Sequence, residues 1–145
     1  MAVDLNKPAA LFHGSYSNLA GQYDIVVFTE VLEHPTANPV EILQQLIHLL
    51  KPNGYIYLST PNFFRRKNRA QFQNQENPQE VYPSGDNNWD AHHHYREYGL
   101  KEMLRFIKQS GGKTSALYFS NCWDTEHCQN ESDRGNMVFV IQLSD

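Results

Sequence analysis

Two short apolar runs with one amphipathic helix between them constrain this chain more than any other feature. Tyr23-Asp-Ile-Val-Val-Phe28 is a continuous, β-branched run, which suits a strand buried on both faces of a parallel sheet. Helix start signals follow: Asn38 in the capping position, Pro39 at the first helical position and Glu41 where a capping-box carboxylate belongs. Val40, Leu43, Ile47 and Leu50 then recur at helical spacing as a stripe to be buried. Lys51-Pro52 stops the helix, Asn53-Gly54 turns the chain, and Tyr55-Ile-Tyr-Leu-Ser-Thr60 reads as a second buried strand ended by Pro61-Asn62. Strand, helix and strand with short connections make a parallel, right-handed βαβ unit, so the class is α/β.

Downstream, Leu100, Met103, Leu104 and Ile107 predict another amphipathic helix ended by Gly111-Gly112. Ser115–Phe119 and Met137–Ile141 close the chain as two strands of an antiparallel hairpin at a sheet edge. Between the two halves, residues 63–91 are polar and lack periodicity, as in a lid or an insertion. The whole of 1–145 reads as a single domain.

Composition narrows the function classes. With 40% hydrophobic and 19% charged residues the chain is globular. A formal net charge of -4 gives no pull toward nucleic acid or anionic membrane. No apolar run reaches the roughly 20 residues needed to span a bilayer, and the start has no signal-peptide core. The two cysteines, Cys122 and Cys128, make no disulfide framework, which suits a reducing cytoplasm.

Several ordered motifs carry a resemblance. Tyr23-Asp-Ile-Val-Val-Phe-Thr-Glu-Val-Leu-Glu-His34, Leu49-Leu-Lys-Pro-Asn-Gly54, Leu58-Ser-Thr-Pro-Asn62 and His94-Tyr-Arg-Glu-Tyr98 follow one another in register. Together they resemble the C-terminal half of class I S-adenosylmethionine-dependent methyltransferases. The resemblance implies a partial Rossmann-like sheet: the family's strands four, five, seven and six, with residues 9–16 as a relic of strand three. A second reading makes Val3-Asp4-Leu5 the end of strand two. The family's Gly-rich cofactor loop has no counterpart, since no G-x-G-x-G occurs in the sequence. In the family, strand four pairs with strand one. Without it, Ile25–Phe28 would be an open apolar edge, to be covered by a second copy, a complementary N-terminal fragment or a longer natural chain.

The same resemblance places S-adenosylmethionine as cofactor. Thr29 and Glu30 would line its methionine end at the carboxyl end of a central strand, with Ser15 and Tyr16 near the adenine. Glu30 or His34 could act as general base toward a hydroxyl nucleophile. Glu30, Glu33 and His34 share one face if their turn is helical, and His94 could join them as a ligand for Mg, Mn or Zn. Similar sets bind metal in ubiquinone-biosynthesis O-methyltransferases and small-RNA 2′-O-methyltransferases, whereas many relatives use the same string only to cap a helix or line the pocket. Of His92, His93 and His94, the family register favours His94. Arg65, Arg66, Lys67 and Arg69, interleaved with aromatic residues, could hold a phosphorylated substrate or simply form a solvated lid. Cys122, His127 and Cys128 lack a second C-x-x-C and read as bystanders.

Three functions follow from these readings. One is methyl transfer to an oxygen or nitrogen of a small molecule. A variant of it is metal-assisted methyl transfer of the RNA 2′-O type. The third is a non-catalytic, truncated or split module that pairs through its open strand, and the missing cofactor loop favours it for the isolated chain.

Overall fold

The sheet is organised around β2, Leu50–Pro61, in a computed structural model that describes residues 4–7, 17–79, 94–121 and 130–144. Strand β1, Tyr23–Thr29, runs parallel to β2 with Val27 opposite Tyr57. On the other side β4, Asn136–Leu143, runs antiparallel to β2, and β3, Gly112–Ser120, runs antiparallel to β4. The order β1-β2-β4-β3 is that of the four strands the motifs led us to expect. The last strand lies inside the sheet and only β3 occupies that edge.

Helix α1, Pro39–His48, begins as its sequence dictates, with the Asn38 side chain accepting the Val40 N–H at 3.0 Å. Its buried stripe is Ile42, Leu43, Leu46 and Ile47, so Val40 lies at the margin. The expected turn appears as an irregularity within β2: the register with β1 slips between Tyr23 and Ile25, and Asn53 adopts φ 65. Gly54 fits there because a Cβ would lie 3.0 Å from the carbonyl oxygens of Lys51 and Tyr23. The predicted C-terminal helix is α3, Leu100–Gln109, followed by Gly111 at φ 86.

The core lies on one face of the sheet. Phe28, Ile56, Leu58, Phe139 and Ile141 pack with the apolar stripes of α1 and α3, of which Met103 and Ile107 are almost wholly buried. The other face is different, and it corrects the expectation of a doubly buried β1. Only Phe28 of that strand is buried, while Ile25 is 47% and Val27 68% exposed. Among the described residues β1 has a neighbour on one side only, and its alternate side chains meet solvent.

Residues 63–79, expected to be aperiodic, contain a short helix, α2, Arg66–Gln73. It has no apolar stripe and only Asn68 is buried, so hydropathy periodicity could not reveal it. Polar links and one ring contact hold it: Asn68 donates to the Phe63 carbonyl at 2.9 Å, Arg69 pairs with Asp133, and Phe72 meets Phe63 edge to face. Asp4 sits in a turn, where its carbonyl accepts the Lys7 N–H, and does not end a strand among the described residues. Residues 8–16 and 122–129 lie outside the described residues, so the third-strand relic, Ser15, Tyr16, Cys122, His127 and Cys128 do too. So do His92 and His93.

Candidate functional site

Segment 94–98 is joined by backbone bonds to the turn after β1 and to the residues after β2. The Arg96 N–H donates to the Glu33 carbonyl at 3.1 Å, and the Phe63 N–H donates to the Tyr98 carbonyl at 3.0 Å. Tyr98, nearly buried, reaches the Leu32 carbonyl at 3.4 Å, and burial pushes its phenol up to about 12. These bonds carry His94 to the carboxyl end of the sheet, beside the residues that follow β1.

There, Glu33, His34 and His94 each place one ligand atom within 4.8 Å of the others. The side chain of Glu33 is fully buried. Its Oε2 accepts from Thr60 Oγ1 at 3.0 Å, and its Oε1 has no hydrogen-bond partner although it lies 3.8 Å from His34 Nε2. Burial pushes this carboxyl up to about 7, with the nearby charge of Glu30 adding to the shift. An orphaned, buried carboxylate oxygen is costly, and a divalent cation held with two imidazoles would satisfy it. The donor set therefore fits a cation.

Glu30, grouped with these residues on sequence grounds, lies outside that set of ligand atoms. Its backbone is left-handed, φ 53, a conformation that costs a non-glycine residue about 1 kcal/mol or more. Its carboxylate accepts from Ser59 Oγ at 2.5 Å and Asn136 Nδ2 at 2.7 Å, tying the ends of β1, β2 and β4 together. Thr29, beside it, is exposed at the carboxyl end of β1.

Sequence reasoning missed a second layer. Glu97 is buried and takes a bidentate contact from Arg65, with Nη1 to Oε2 at 2.5 Å and Nη2 to Oε1 at 3.0 Å. Its Oε1 also lies 2.9 Å from His94 Nδ1, and Asn68 Nδ2 lies 3.3 Å from Oε2. Burial alone would raise the carboxyl of Glu97, but bonds from His94 and Arg65 outweigh it and hold it below its ordinary range. The Glu97 hydrogen bond in turn raises the His94 imidazole. Glutamate three residues after histidine was the only local signal; Arg65 comes from across the lid. A cleft of about 830 Å³ is lined by Glu97 together with Phe63, Phe64, Arg96, Leu100 and Glu102.

A family profile described as a methyltransferase domain matches residues 2–111. A ubiquinone biosynthesis O-methyltransferase of Vibrio campbellii is 29% identical over 91 residues, covering 63% of this chain and 36% of that protein. The chain thus spans about a third of that relative's length. Among solved structures, the trans-methyltransferase CalH in complex with S-adenosylhomocysteine aligns with 99% of this chain and 35% of its own, at TM-score 0.61 and 20% identity. A methyltransferase dependent on S-adenosylmethionine from Methanosarcina mazei aligns with 87% of this chain and 62% of its own, at TM-score 0.57 and 16% identity.

Proposed function

The chain belongs to the class I S-adenosylmethionine-dependent methyltransferase family, and on that premise we propose that it is the substrate-facing part of a methyltransferase acting on a small-molecule oxygen. The observation that carries the reading is the Glu33–His34–His94 cluster beside the carboxyl end of β1, the end where open α/β sheets place their ligands. The O-methyltransferase relatives support an oxygen nucleophile. Thr29 at the strand end would face the methionine end of the cofactor, with Ser15 and Tyr16 toward the adenine.

Glu33, His34 and His94 would hold a divalent cation, Mg, Mn or Zn, which supplies a lowered pKa to a substrate hydroxyl. Thr60 orients the Glu33 carboxylate through its bonded Oε2. Glu30 fits a support of the strand ends better than a free base, because Ser59 and Asn136 already engage both its oxygens. In a cation-free form of the reading, His34 takes the hydroxyl proton.

A second reading is favoured by one observation. Ile25 and Val27 are exposed on a strand that has a single neighbour among the described residues. This edge suits a second copy of the chain or a complementary fragment carrying the Gly-rich loop that the sequence lacks. Calorimetric titration of the chain with S-adenosylmethionine separates the two. Micromolar binding by the chain alone supports the catalytic reading. Binding only after a complementary fragment is added supports the split module.

A further inference from the structure

His94 sits between two carboxylates of different standing. Glu33 keeps one oxygen without a hydrogen-bond partner, whereas both oxygens of Glu97 are occupied. A carboxylate whose lone pairs are taken by Arg65, Asn68 and His94 has little left to offer a ligand or a proton in transit. Its chemistry is that of an orienter.

The bond between His94 Nδ1 and Glu97 also has a direction. An ionised carboxylate only accepts, so Nδ1 must carry the hydrogen. In the neutral ring that leaves Nε2 as the nitrogen with an available lone pair. The ring meets His34 edge to face with centroids 5.1 Å apart, so His94 is held from one side by Glu97 and from another by His34.

The orienter is itself held by the opposite side of the lid. Arg65 grips Glu97 with both terminal nitrogens and also donates to the Asn62 carbonyl at 3.3 Å. Asn68, fully buried in the first turn of α2, donates to both Phe63 and Glu97. A buried ion pair is costly to assemble and contributes little net stability on its own. What it does provide is a fixed geometry.

We infer that Glu97 is a positioning residue, anchored by Arg65 and Asn68, that locks His94 in the Nδ1–H tautomer and turns Nε2 toward Glu33 and His34. The inference rests on the reading of Glu33, His34 and His94 as a cation site, and it makes α2 part of that site without supplying a ligand. Carboxylates that hold ligating histidines in this way typically change cation affinity ten- to a hundredfold when removed.

The test has a readout that needs no cation. Long-range proton–nitrogen correlation spectra of the imidazoles, recorded with chelator at a pH above the His94 titration, report its tautomer. With seven histidines in the chain, His94→Gln identifies the signal by subtraction. In the wild-type chain His94 is expected as Nδ1–H, and in Glu97→Ala the signal is expected to move to the Nε2–H form that free imidazole prefers. Arg65→Lys, which keeps the charge but loses the fork, guards against an unfolded Glu97→Ala and is expected to give a mixture. Manganese titrations of the same proteins are expected to show affinity lowered ten- to a hundredfold in Glu97→Ala and less in Arg65→Lys. An unchanged tautomer in both variants overturns the inference, as does manganese affinity within about twofold of wild type. A shifted tautomer in a chain that binds no manganese at all supports the positioning role and removes the cation reading instead.

Discussion

The imidazoles of His34 and His94 meet edge to face, with ring centroids 5.1 Å apart and planes at 80°, although α1, β2 and α2 all intervene in the chain. Neither histidine has a sequence neighbour that explains the contact. It exists because segment 94–98 is bonded to the turn after β1 through Arg96 and Glu33. The buried carboxylate of Glu33 beside the pair turns a ring contact into a candidate ligand set.

Manganese or zinc is expected to raise the melting temperature of the wild-type chain and to leave that of His34→Ala unchanged. Thermal unfolding with and without the metal is the measurement. Equal shifts in both proteins would remove the cluster from consideration as a cation site.

Glu33 makes stability depend on pH in a defined window. Unfolded, its carboxyl titrates near the ordinary 4.5; folded, burial holds it near 7. Between those values the folded chain retains a proton that the unfolded chain has released, so stability falls as pH rises through the window and levels off above it. Glu33→Gln lacks this loss. With chelator present, its stability relative to wild type is expected to climb by on the order of 3 kcal/mol from pH 4.5 to 7 and then stay flat. Denaturant unfolding across pH measures it, and a constant difference would show that the Glu33 carboxyl titrates alike in the folded and unfolded chain.

The edge reading predicts self-association through β1. Wild-type chain is expected to sediment as a dimer and Val27→Lys as a monomer, because lysine on an edge strand opposes further pairing. Val27 is 68% exposed, so the substitution disturbs little else. A monomeric wild type at high concentration would eliminate the second copy as occupant of the edge.

Gly99 joins the lid to α3, and a Cβ there would lie 2.6 Å from the Phe64 ring. Its backbone is ordinary, φ -93, so the constraint is space alone. Gly99→Ala is expected to cost about 0.5–1.5 kcal/mol by turning the half-exposed Phe64 ring off its rotamer and away from the cleft wall. Urea unfolding gives the figure, and a neutral outcome would mean that Phe64 moves aside freely.

What the sequence determined alone was local and periodic. The run 23–28, the cap at Asn38, the turn at Asn53-Gly54 and the α3 stripe each follow from neighbours along the chain, and the described elements formed there. The motif resemblance grouped Glu30, Glu33, His34 and His94; the fold brings ligand atoms of Glu33, His34 and His94 together and leaves Glu30 apart. Only the tertiary structure decided the rest. Whether β1 is covered depends on what stands beside it, because burial belongs to the neighbourhood rather than to the residue. Helix α2 carries no hydrophobic stripe and is held by polar links and a single ring contact that no pattern announces. Glu30 shares its stretch of sequence with Glu33, yet a left-handed backbone at φ 53 turns its carboxylate to Ser59 and Asn136. Arg65 and Glu97 meet for a similar reason. Charges far apart in the chain become one structure only where the fold excludes the water between them.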